Sequence, residues 1–108
     1  MNISDDRLQK ALTYLAETDE PCADLKANTE RAEFKAEAIR DAIFLRTDGT
    51  VAERTAVAKA SSEYADAKEA QFIVLAQYEA MRNKRTTEAI VIDCWRSLES
   101  SRRAGNIR

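Results

Sequence analysis

The sequence predicts an all-α protein: an elongated helical hairpin or bundle with a long C-terminal helix, coiled-coil-like packing and oligomerisation. Three observations carry that reading. The 108 residues include only two glycines and one proline, with 33% charged and 44% hydrophobic side chains, a composition of strongly helical chains that leaves no stretch reading as a strand. From 61 to 103 there is neither Gly nor Pro, and Tyr64, Ala67, Gln71, Val74, Tyr78, Met81, Arg85, Glu88, Ile92 and Trp95 step by alternating threes and fours. Between 22 and 43 a second set, Cys22, Leu25, Thr29, Ala32, Ala36, Ile39 and Ile43, keeps the same rhythm.

The expected elements form a single domain over 1–108, with helices at about 4–18, 20–47, 51–60 and 62–103. Ser4 followed by Asp5 and Asp6 reads as an N-cap with acidic residues in the first turn, and Leu8, Leu12 and Leu15 follow at helical spacing. This first helix is expected to stop near Thr18, because the Asp19-Glu20-Pro21 cluster suits one helix ending and another beginning, Pro being tolerated in a first turn. The second helix has a seam of mostly small residues. Phe34, Ala38, Ala42 and Leu45 are expected to widen its apolar face, with Lys26, Glu30, Arg31, Glu33, Lys35 and Glu37 outside.

At 46–50 the chain breaks, and Gly49 suits the left-handed conformation that closes a helix. Thr50-Val51-Ala52-Glu53 then fits a capping box. The short third helix offers Val51, Ala56, Val57 and Ala60 for packing. Ser61-Ser62 is either a fresh cap at a bend or a point the helix runs through. The fourth helix, at a rise of ~1.5 Å per residue, is on the order of 60 Å long. Gln71, Arg85 and Glu88 interrupt its seam, while Phe72, Leu75, Ala89 and Val91 add a second apolar row, a breadth that suits two neighbours better than one. The segment from Ala104 to Asn106 is expected to end the helix, leaving Ile107 and Arg108 frayed.

The formal net charge of −2 is unevenly spread. Residues 1–48 hold 7 basic and 11 acidic side chains, and 49–108 hold 10 and 8. Beyond Arg82 the excess is cationic, which suits either nucleic acid or an acidic protein surface, or simply a solvated helix end whose cations match its dipole.

Several function classes lose their residues here. There is no histidine to act as general base, no nucleophile motif, and no Gly-rich phosphate loop, so the composition points away from enzymatic catalysis and away from cofactors. Cys22 and Cys94 are far apart and form no zinc motif, so free, buried thiols are expected. The polar, acidic N-terminus does not read as a signal peptide, and no apolar run is long enough to span a bilayer. A cytoplasmic location is the expectation.

Binding is the remaining chemistry. Trp95 near Arg102 and Arg103, with Arg82, Lys84 and Arg85 some three turns earlier, mixes an aromatic ring with cations as single-strand binders do; Trp95 also lies on the seam, where it reads equally as a core anchor.

Across roughly 30–103, Phe34-Lys35-Ala36, the turn Thr47-Asp48-Gly49-Thr50, Val51-Ala52-Glu53-Arg54, Ser62-Glu63-Tyr64, Tyr78-Glu79 and the ending Trp95-Arg96-Ser97-Leu98 with Arg102-Arg103 form a succession that resembles small phage proteins of the UvsY-type recombination mediator group. The resemblance implies a helical, ring-like homo-oligomer that binds single-stranded DNA and helps load a RecA-like recombinase onto DNA covered by single-strand binding protein, inside a bacterial host cell. It also implies basic DNA-binding residues before the turn, and Lys35, Arg40 and Arg46 correspond best. Asp41 and Asp48 depart from that pattern by placing negative charge beside them. The expected nucleic-acid set is therefore Lys35, Arg40, Arg46, Arg82, Lys84, Arg85, Arg102 and Arg103. The expected assembly anchors are Tyr78, Met81, Ile92, Trp95 and Leu98. A competing reading, supported by the acidic N-terminal half, is a helical protein-interaction module or inhibitor of a host protein that does not touch nucleic acid. The same seam serves dimers and larger rings, so it does not fix the subunit number.

Overall fold

A computed structural model describes residues 2–106; the expected frayed tail at Ile107 and Arg108 lies outside them. The described chain is all α, in three helices: α1, Asp5–Arg46; α2, Val51–Ala60; and α3, Ser62–Asn106. Their contacts group into two compact units. One takes Met1–Cys22 and Glu79–Arg108, the other Ala23–Tyr78.

In the first unit the start of α1 lies against the end of α3. Ser4 caps α1 by accepting from the Arg7 amide at 3.1 Å, as its position in the sequence predicts. Ala11 and Ile92 form the core, with Leu15, Thr18, Met81 and Trp95 half-buried around them. The two stretches are antiparallel, because Arg7 reaches Glu88 while Arg85 reaches Leu15, Thr18 and Asp19.

In the second unit Ala36, Ile43 and Ala58 are buried. Ala36 has almost no side chain, which is what lets a neighbouring helix come close at that level. Arg46 at the end of α1 meets Glu63 at the start of α3, 2.7 Å apart. Thr50 accepts from the Glu53 amide at 3.2 Å and caps α2, and Gly49 takes the left-handed φ of 125° that the turn requires. Ser61 settles the open question at the next junction. It is extended, ends α2, and accepts from the Tyr64 amide at 3.2 Å, so α3 starts at a true break with its own cap.

Four expectations are corrected. First, α1 does not stop near Thr18 but continues through Pro21. Glu17 and Pro21 are both exposed, so the carbonyl that Pro21 leaves without its amide faces solvent, where the lost bond costs least. The step Ala11, Leu15, Thr18, Cys22 also holds its rhythm across that point, so the helix keeps its face.

Second, Phe34, Ala38, Ala42 and Leu45 do not widen the inner face of α1. All four are exposed, Phe34 at 74% and Leu45 at 75% of full accessibility. They lie on the side of α1 opposite Ala36 and Ile43. On α3, Phe72 and Ala89 are exposed likewise, so the second apolar row is only partly covered.

Third, α2 packs through Arg54, Thr55 and Ala58, and Val51, Ala56, Val57 and Ala60 face outward. The small Ala58 permits close approach, and the Arg54 guanidinium stacks 4.2 Å from the centroid of the Phe44 ring while its Nε donates to the Phe44 carbonyl at 3.0 Å. Fourth, Cys22 and Cys94 are free as expected but only half-buried. Helix α3 also runs past Arg103, through Gly105, to Asn106.

Candidate assembly and nucleic-acid interface

The polar residues that interrupt the α3 seam are paired layers within it. Glu88 is 8% exposed and takes both oxygens to Arg7, with Nη1 donating to Oε2 at 2.6 Å and Nη2 to Oε1 at 3.0 Å. The hydrogen bond from Arg7 holds the Glu88 carboxyl below its usual range, against the opposing effect of burial, and the same bond raises Arg7. Gln71, 7% exposed, accepts from Lys68 Nζ at 2.8 Å. Arg85 donates through Nη1 to the Leu15 carbonyl at 2.8 Å and to Thr18 Oγ1 at 2.7 Å, and its Nη2 lies 3.4 Å from Asp19.

The Arg7–Glu88 pair also sets how far α3 extends in this unit. Arg7 is the third residue of α1, so with Arg85 reaching Leu15 the antiparallel pairing puts the first residue of α1 level with about residues 90–95 of α3. The remainder of α3, to Asn106, runs on beyond it by roughly 15–25 Å at ~1.5 Å per residue. That end carries Trp95 and Leu98, both half-buried, and Ile90, which is 56% exposed. Ile90, Cys94, Ser97 and Leu98, with Asp93, line an open, mostly apolar groove of about 300 Å³. Ile90 is absent from the anchors expected from sequence because it stands off the three-four seam; its exposure could be read only once the register of α1 was known.

Of the expected anchors, Ile92 belongs to the chain's own core and is corrected on that ground. Met81, Trp95 and Leu98 are half-buried in the first unit, and Tyr78 is half-buried in the second.

The expected nucleic-acid residues divide between the units. Lys35, Arg40 and Arg46 are in the second; Arg82, Lys84, Arg85, Arg102 and Arg103 are in the first. Arg85 donates to the Leu15 carbonyl and the Thr18 hydroxyl of α1, so its Nη1 is already engaged within the chain. Arg40 lies 3.2 Å from Asp41, whose hydrogen bond raises the Arg40 pKa. Arg46 is paired with Glu63, and Arg102 lies 3.3 Å from Glu99. Lys84 sits 4.5 Å over the Tyr14 ring. Lys35, Arg82 and Arg103 are exposed.

No family model, curated protein or solved structure matches the chain. The reading of the site therefore rests on its geometry. Among the described residues no helix is long and apolar enough to cross a membrane, and no group of three or more Cys, Asp or Glu is placed to hold a metal ion.

A second groove, about 390 Å³, lies in the other unit and is lined by Arg40, Asp41 and Phe44 of α1 and Val51, Thr55, Ala58 and Lys59 of α2. Of its α2 lining, Val51 is among the residues expected to pack, whereas Thr55 and Ala58 are not.

Proposed function

We propose that the protein is a self-assembling helical subunit of the recombination-mediator type, which binds single-stranded DNA as an oligomer and assists loading of a RecA-like recombinase onto DNA covered by single-strand binding protein. The observation that carries the assembly part is the open, mostly apolar groove on the C-terminal part of α3, lined by Ile90, Cys94 and Leu98, with Ile90 56% exposed. An open, mostly apolar groove beside an exposed Ile90 is stabilised by burying it against another copy. The DNA part is carried by the resemblance together with the exposed cations Lys35 and Arg103. Each subunit would make only a few phosphate contacts, and repetition along a flexible strand multiplies them through effective concentration.

The second reading is a helical protein-interaction module that does not bind nucleic acid. It is favoured by the fact that Arg40, Arg46, Arg85 and Arg102 already have carboxylate partners.

Light scattering coupled to size exclusion, with a fluorescent single-stranded oligonucleotide at low and moderate salt, separates the two. The mediator reading expects a mass above that of the monomer, lost on Trp95→Ala with Leu98→Ala. It also expects co-migration with the oligonucleotide that weakens steeply with salt and on Lys35→Ala with Arg40→Ala. An oligomer that ignores the oligonucleotide at low salt selects the interaction module. A monomer overturns the assembly part.

A further inference from the structure

Three arginines of α3 fall on one line within the first unit. Positions 82, 89, 96 and 103 are seven residues apart and hold Arg82, Ala89, Arg96 and Arg103, all four exposed. Seven residues are almost two full turns, so the row keeps to one side of the helix, with about 10.5 Å between positions and about 32 Å from Arg82 to Arg103. From 82 to 103 the helix carries six cations and three carboxylates. Glu88 is buried against Arg7, and Glu99 accepts from Arg102 at 3.3 Å. Asp93 lies 3.8 Å from Arg96, where both side chains are largely exposed and water screens the pair. Glu79 stands three residues before Arg82, and Asp19 of α1 meets Arg85.

That pattern selects the class of partner. A protein interface is built on an apolar centre with its charges at the rim, and this row has only Ala89 between its arginines. A polyanion asks for the reverse: cations repeated along its own direction, each meeting a phosphate and releasing counterions. Arginine at every charged position of the row adds the planar fork that takes two phosphate oxygens at once. The row also stands clear of the apolar groove. At about 100° per residue, position 96 is roughly 160° round the helix from Cys94, so a second copy seated on that groove leaves the row open.

We propose, on the single-stranded DNA reading given above, that the side of α3 bearing Arg82, Arg96 and Arg103 is a track for the sugar–phosphate backbone of the strand. The contact lies in the first unit and adds to Lys35 and Arg40, which are in the second. Arg96 joins the nucleic-acid residues through this spacing alone. Phosphate contacts carry no sequence information, so the track holds any strand alike.

The test is fluorescence anisotropy of a labelled single-stranded oligonucleotide titrated with the full chain across a salt series. Three proteins are compared: the parent, Arg96→Gln with Arg103→Gln, and Arg96→Lys with Arg103→Lys, each checked for folding by circular dichroism melts. A phosphate contact contributes about 0.7 to the slope of log affinity against log salt. The glutamine pair should therefore flatten the slope by about 1.4 for each subunit on the strand and raise the dissociation constant about tenfold at moderate salt. The lysine pair should keep the parent slope. A glutamine pair that binds with parental affinity and slope overturns the track and leaves the DNA reading standing. A parent chain that ignores the oligonucleotide at low salt overturns both. Polyglutamate that displaces the strand as well as unlabelled oligonucleotide does would assign the row to an acidic protein and overturn the track too. Should the glutamine pair not fold, Arg96→Gln alone serves, with half the change in slope expected.

Discussion

Arg7 and Glu88, 81 residues apart in the chain, meet through two hydrogen bonds of 2.6 and 3.0 Å, with the Glu88 side chain 11% exposed. The pair fixes the register of the first unit. Sliding α3 by a turn would leave a buried carboxylate without its cation, which is far more costly than the loss of one apolar contact.

The same pair sets a pH dependence. The Glu88 pKa is lower in the folded state than in the unfolded chain, so its contribution to stability is full above the ordinary carboxylate range. That contribution fades as pH falls through that range towards the depressed value. Thermal unfolding followed from pH 7 to pH 3 should show this loss. Glu88→Gln should be less stable at pH 7 and should lack that part of the acid dependence; an unchanged acid profile would remove Glu88 from the account.

Arg85 should behave as a structural residue. Lys cannot reproduce its simultaneous bonds to the Leu15 carbonyl and Thr18 hydroxyl, so Arg85→Lys is expected to lose about 1–2 kcal/mol in urea denaturation. Oligonucleotide binding per folded molecule, read by fluorescence anisotropy, should be unchanged.

Pro21 lies inside α1 on its exposed side and leaves the Glu17 carbonyl without an amide partner. Pro21→Ala restores that bond and is expected to raise the melting temperature, with a gain of up to about 3 kcal/mol. A fall in melting temperature would mean that the unfolded chain, which Pro stiffens, dominates at this position.

Gly49 holds a φ of 125°, and a Cβ placed there would approach Glu53 Oε2 at 2.7 Å. The Glu53 side chain can move aside, so the backbone conformation carries most of the cost. Gly49→Ala should destabilise by about 1–2 kcal/mol in the same urea experiment.

The sequence alone determined the all-α class and the inner seams of α1 from Cys22 and of α3. Every position of the three-four set from Tyr64 to Trp95 is buried or half-buried, and so is every position of the set from Cys22 to Ile43. Periodicity is a property of a single helix, so one chain segment is enough to read it. The caps at Ser4 and Thr50 and the turn at Gly49 were legible for the same reason: each is settled by residues within four positions of one another.

Only the tertiary structure decided what crosses from one helix to the next. That Glu88 is a buried partner of Arg7 and not a break in the seam, that Arg85 is hydrogen-bonded to α1, and that Ile90 stands exposed on α3 all follow from register. Register depends on which residues face each other across two helices, and a three-four pattern repeats identically at every heptad. Phe34 and Leu45 make the same point from the outside. Their spacing marks an apolar face, but which face of α1 meets its own chain is chosen by packing, where the small Ala36 allows a closer approach than Phe34 does.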